Sequence, residues 1–65
     1  MYKTRIFHTT GEINSMFFSD LSVAYAAFDD YKSFFDWALA ETDVIIEKEV
    51  INNVTGEVIK AWHRG

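Results

Sequence analysis

Few residues in this chain have side chains that could do covalent or metal chemistry. His8 and His63 are the only histidines. In the strand registers argued below, each falls across from a glutamate, His8 from Glu12 and His63 from Glu47. A histidine beside a carboxylate can ligate a metal. The same pair is also an ordinary cross-strand contact at a strand end, worth up to about 1 kcal/mol, and that reading is preferred. Asp29 and Asp30 are adjacent on a helix, where neighbours diverge by about 100°, so they do not converge as a general acid and base. The chain has no Cys and only three scattered Gly, which rules out a thiolate nucleophile and a phosphate-cradling loop. The few serines lie at a turn or on the helix. A chain of 65 residues leaves little room for a ligand pocket of several hundred Å³. The expectation is a non-enzymatic protein with no cofactor and no metal.

The remaining chemistry is that of surfaces. Asp29, Asp30, Asp36, Glu41 and Asp43 form an acidic set along the exposed side of the central helix and its C-terminal end. Glu41 and Asp43 oppose the helix dipole there, so helix stability does not explain them. The sharper reading is a negative surface that docks on a basic, nucleic-acid-binding groove of another protein. The plainer reading is a solvated face. Phe7 and Phe17 lie beside Lys3 and Arg5 on one hairpin, a combination that can stack bases. The net charge of −4 argues against direct nucleic-acid binding, because phosphates would be repelled on average. No uncharged apolar run approaches the ~18 residues of a membrane span. MYKTRIFHTT has no apolar core of signal-peptide length, so a cytoplasmic protein is expected and the sequon at Asn53 is idle.

These residues must be held by a small core. Hydrophobic residues make up 49% of the chain and aromatic ones 17%, enough to offset chain entropy. In Ser19–Glu41, Leu21, Ala24, Phe28, Tyr31, Phe35, Ala38 and Leu39 recur at spacings of three and four. That spacing predicts one amphipathic helix over residues 20–41, capped by Ser19 or Asp20, with Phe28, Tyr31 and Phe35 buried. Trp37 falls on what should be the wet side. Before the helix, residues 2–18 read as a hairpin turned at Thr9-Thr10-Gly11, pairing Phe7 with Ile13 and Tyr2 with Phe18. After it, residues 44–63 read as a second hairpin turned at Val54-Thr55-Gly56, pairing Asn53 with Glu57, Ile51 with Ile59 and Lys48 with Trp62. The triplet Thr-Gly-Glu occurs at both turns. The expected fold is therefore one α+β domain, β-β-α-β-β: a four-stranded antiparallel sheet with one helix on one face.

One helix leaves the second sheet face open. If Tyr2, Ile6, Met16 and Phe18 turn inward with Val44, Ile46, Val50, Val58 and Trp62, the open face keeps Phe7, Phe17, Ile45, Ile51 and Ile59. The opposite choice exposes Tyr2 and Trp62. Either way an apolar patch remains, and such patches mark interfaces. A homodimer packed sheet to sheet, or a partner protein on that face, is expected, with Trp37 as a second contact.

The compact acidic chain, its dense aromatics, the lack of Cys and Pro and the hairpin VIIEKEVINNVTGEVIKAW together resemble a group of small phage accessory proteins. These redirect or inhibit host machinery, anti-CRISPR proteins among them. The resemblance implies a stoichiometric binder that inhibits a host protein in the host cytoplasm. It assigns no individual residue. The alternative is a homodimeric regulatory module working through its sheet face, acting on nucleic acid as an assembled dimer.

Overall fold

The computed structural model describes residues 1–11, 13–35 and 45–64. Four strands form one antiparallel sheet: β1 (Tyr2–His8), β2 (Ile13–Phe18), β3 (Ile45–Asn52) and β4 (Val58–His63), in the order β2-β1-β3-β4. The α+β fold expected from the residue pattern is the observed one. The first hairpin has the expected register, Phe7 opposite Ile13 and Tyr2 opposite Phe18. Its turn closes through Gly11 N–H donating to the His8 carbonyl at 3.0 Å, with Gly11 at φ 91°. A Cβ there would meet no neighbour, but side-chain-bearing residues are strained at this positive φ, so the turn favours glycine.

The second hairpin departs from its expected register between the bulge and the turn, where Asn52 rather than Asn53 bonds Glu57, its N–H donating to the Glu57 carbonyl at 2.8 Å. Lys48 pairs with Trp62 as expected, but Ile51 pairs with Val58 rather than Ile59, through a bulge next to Val50. The cause lies in the turn. Asn52 Oδ1 accepts from the Val54 and Thr55 amides at 2.9 and 3.3 Å, while Gly56 N–H donates to the Asn52 carbonyl at 2.7 Å. The loop therefore opens at Asn52, and the strand absorbs the odd residue as a bulge.

The helical segment corrects the expectation of one helix over residues 20–41. Among its described residues it is two pieces, α1 (Leu21–Asp29) and α2 (Tyr31–Phe34), and Phe35 is already extended at φ −101°, ψ 103°; residues 36–41 lie outside the described residues. Asp20 caps α1 as expected: its Oδ1 accepts from Ser22 N–H at 2.8 Å and Ser22 Oγ–H at 2.7 Å. Those bonds hold its carboxyl below the usual carboxylate range. The break falls at Asp30, at φ −121°, ψ 58°. There the Phe28 carbonyl accepts from Lys48 Nζ at 3.0 Å. A sheet lysine thus satisfies a carbonyl at the C-terminal end of α1, where positive charge is favourable.

The break lets the segment feed two clusters. Ala24 and Phe28 pack with Val50, flanked by Tyr2, Phe18, Leu21 and Tyr25. Phe35 packs with Ile6 and Ile45, flanked by Met16, Tyr31 and Phe34. Phe34 meets Phe18 edge to face at 5.9 Å. Thr4, fully buried beneath α1, donates its hydroxyl to the Ala24 carbonyl at 2.9 Å. Phe28 and Phe35 are buried as expected, whereas Tyr31 is only half-buried.

The sheet turns Tyr2, Ile6, Met16 and Phe18 toward the helices, together with Val50. Two bulges correct the rest of that face assignment. Between Phe7 and His8 the register slips, so His8 pairs with Ile45 while Phe7 pairs with Glu47. Ile45 is therefore a core residue and not part of the open face. The β4 bulge moves Val58 the other way, opposite Ile51 and half-exposed. A shift of one residue swaps faces because side chains alternate along a strand.

Candidate protein-interaction site

The register defines the sheet face away from the helices as three rows across β2-β1-β3-β4. They are Phe17–Lys3–Ile51–Val58, Ser15–Arg5–Glu49–Ala61 and Ile13–Phe7–Glu47–His63. Ile13, Phe17 and Val58 are 54%, 55% and 50% exposed. Phe7 is half-buried and Ile51 buried. Of the residues expected on this face, Phe7 and Phe17 both lie on it, Phe17 the more exposed. Ile51 lies in a row of the face, beneath its neighbours. Ile59 is half-buried next to the bulge.

Cations are drawn onto this apolar surface. Lys3 Nζ lies 5.7 Å from the Phe17 ring centre and the Arg5 guanidinium 5.5 Å from that of Phe7. Arg5 is also ion-paired with Glu49, whose side chain is only 9% exposed. The pair sits at the middle of the face, where the surrounding side chains have already removed much of its water. The charged residues in the three rows are Lys3, Arg5, Glu47 and Glu49, two of each sign, so the face sums to zero. The whole net charge of −4 is carried elsewhere.

On the helix side, Asp29 and Asp30 are exposed as expected. Asp29 Oδ1 is 3.5 Å from Lys60 Nζ, an exposed pair of small energetic weight. Asp36, Trp37, Glu41 and Asp43 lie outside the described residues, so the acidic set is placed only at its N-terminal members. Beside them is a cluster that the residue pattern did not point to. Lys48 Nζ sits 4.6, 5.3 and 5.5 Å from the ring centres of Phe28, Tyr31 and Trp62. Lys60 Nζ sits 4.8 and 5.3 Å from those of Phe28 and Tyr25. Burial pushes the Lys48 ammonium below the usual lysine range; Asp29 pulls it back up and Lys60 pushes it down. In sequence both lysines only interrupt an apolar alternation. In the fold their stems cover the flank of Phe28 on the β4 side of α1.

The histidines are separated by the sheet. His8 is buried, its Nε2 2.9 Å from Asn14 Nδ2. His63 is exposed, with Nδ1 3.4 Å from the Ile46 carbonyl, and pairs across from Glu47 as expected. Glu12, the expected neighbour of His8, lies outside the described residues. Among the described residues no three His, Cys, Asp or Glu side chains gather as metal ligands. No helix of the described residues is long and apolar enough to cross a membrane. Comparison with protein-family models, with curated proteins and with solved structures finds no match to this chain.

Proposed function

We propose that this chain is a non-enzymatic protein-binding module that acts by covering a surface of another protein. One observation carries the reading: the open sheet face holds Ile13, Phe17 and Val58, each about half in water, on a surface whose charges cancel. Apolar, charge-neutral ground of this kind favours burial against protein and gives no attraction for a polyanion. The inhibitory form of the proposal, a stoichiometric block on a host protein, draws on a second surface. Asp20, Asp29 and Asp30 stand exposed on the helix side and would face a basic groove.

The test is association measured with Phe17→Glu. Phe17 is half-exposed, so the charge is tolerated by the fold while the face is spoiled. Mass-spectrometric capture from bacterial lysate, together with sedimentation of the purified chain, should show association lost in the variant. Wild-type association that survives Phe17→Glu unchanged in both measurements overturns the reading. Asp29→Asn with Asp30→Asn reports on the acidic surface: a captured protein released by that variant marks the helix side as the inhibitory one.

A further inference from the structure

We propose that the surface covering the open sheet face is a second copy of this chain, related by a twofold axis that runs parallel to the strands between β1 and β3. This rests on the binding reading above and names the partner for that face. The argument begins with the order β2-β1-β3-β4. An in-plane twofold along the strands exchanges β1 with β3 and β2 with β4 while keeping each row opposite itself. The middle row then places Arg5 over the partner's Glu49, and Glu49 over the partner's Arg5, with Ser15 facing the partner's Ala61. In the first row Phe17 meets the partner's Val58 and Lys3 lies over the partner's Ile51. The other in-plane twofold, across the strands, sets Arg5 over Arg5 and Glu49 over Glu49. Like charges at the centre of a desolvated face exclude that arrangement.

Three further features favour a copy over an unrelated partner. The face is electrically neutral although the chain carries −4, so two copies can meet here without opposing their net charge on contact. Glu49 of the Arg5–Glu49 pair is already only 9% exposed in one chain, with Arg5 at 32%, which reduces the cost of covering the carboxylate. Ser15 and Ala61 at the ends of the middle row are small, so the sheets can approach to the usual ~10 Å spacing. Four strands at about 4.8 Å and six residues at about 3.3 Å give a projected face of roughly 400 Å² per chain. Counted over both chains that is roughly 800 Å², below the ~1,000 Å² of a stable interface, so the expected dimer is a weak one in exchange with monomer. In this sandwich both helical layers look outward, and the exposed Asp29 and Asp30 of each copy stay available.

Sedimentation of the full chain from about 1 to about 500 µM should show a monomer–dimer equilibrium. A strict monomer throughout overturns the proposal. Arg5→Glu and Glu49→Arg should each weaken self-association by about tenfold or more, and an equimolar mixture should restore it, because every facing pair is then opposite in sign. A mixture no tighter than either variant alone overturns the proposal; thermal melts of both variants confirm that they are folded. The axis is tested without touching the charges. The chain has no Cys, so Ser15→Cys and Ala61→Cys chains are treated with a short bis-maleimide. The mixture should cross-link and each variant alone should not. Ser15→Cys joining to itself, or no cross-link in a sample shown to be dimeric, overturns the axis. A strictly monomeric wild type whose capture of a bacterial protein is abolished by Phe17→Glu overturns the dimer and leaves the binding reading standing. Self-association and capture both untouched by Phe17→Glu overturn both.

Discussion

Lys48 shows how one residue can serve two needs. Its stem covers the Phe28 flank, and its ammonium donates to a carbonyl at the end of α1. Burial lowers its pKa in the fold, whereas in the unfolded chain it returns to about 10.4. The unfolded chain therefore holds the proton more tightly, and the charged form weighs against folding at neutral pH. Stability should rise as pH climbs through the lowered pKa toward the unfolded value. Urea midpoints on the alkaline side should show that increment in the wild type and not in Lys48→Met. At neutral pH the methionine removes the penalty of burying the charge but also the donor to the Phe28 carbonyl, so the two effects offset and the variant should stay within about 1 kcal/mol of the wild type. A variant that matches the wild type at every pH would show that the buried ammonium carries no penalty.

At the level of elements, α1 is held by its caps and by Phe28, which touches both Lys48 and Lys60 and packs with Val50. Phe28→Ala should cost about 3–5 kcal/mol, the range for truncating a buried aromatic. That is a large part of the stability of an ordinary small domain, and a melting temperature within a degree or two of wild type would show that the helix packs otherwise. The second turn supplies a smaller effect. Gly56 sits at φ 81° with open space where a Cβ would go, so strain rather than collision decides the outcome. Gly56→Ala should cost about 1–2 kcal/mol, read from chemical denaturation. A neutral result would mean that the turn relaxes.

For the whole molecule, the separation of charge from apolar surface predicts opposite salt responses. Self-association through the neutral face should hold or tighten from low to high salt, because salt screens the −4 that each copy carries elsewhere. Capture of a basic protein by the exposed Asp29 and Asp30 should weaken under the same change. Self-association that falls with salt would mean that charge attraction across the contact outweighs the screened repulsion, against this prediction.

Short-range chemistry made much of this molecule legible in its residues. Gly11 and Gly56 both adopt the positive φ that their turns suggested. Asp20 caps the helix through Ser22, and the first hairpin holds its expected register from Tyr2–Phe18 to Phe7–Ile13. Each depends on a turn or cap and the backbone groups around it, so local sequence carries the information. The open face was legible as a consequence: one helix is too narrow for four strands, so an apolar surface had to remain. Its membership was not. The strand order depends on β1 pairing with β3 across the whole helical segment. The bulges beside His8 and Val50 moved Ile45 inward and Val58 outward. The helix pattern ran unbroken through Asp30 because it contains neither Gly nor Pro. The break lies beside the Phe28 carbonyl, which Lys48 bonds from twenty residues away. Turns, caps and strand tendencies were determined by the sequence itself because their partners are neighbours in the chain. Strand order, the placement of the bulges, the helix break and the identity of the open face were decided by tertiary structure. There, groups far apart in sequence compete for the same backbone partners and the same core volume.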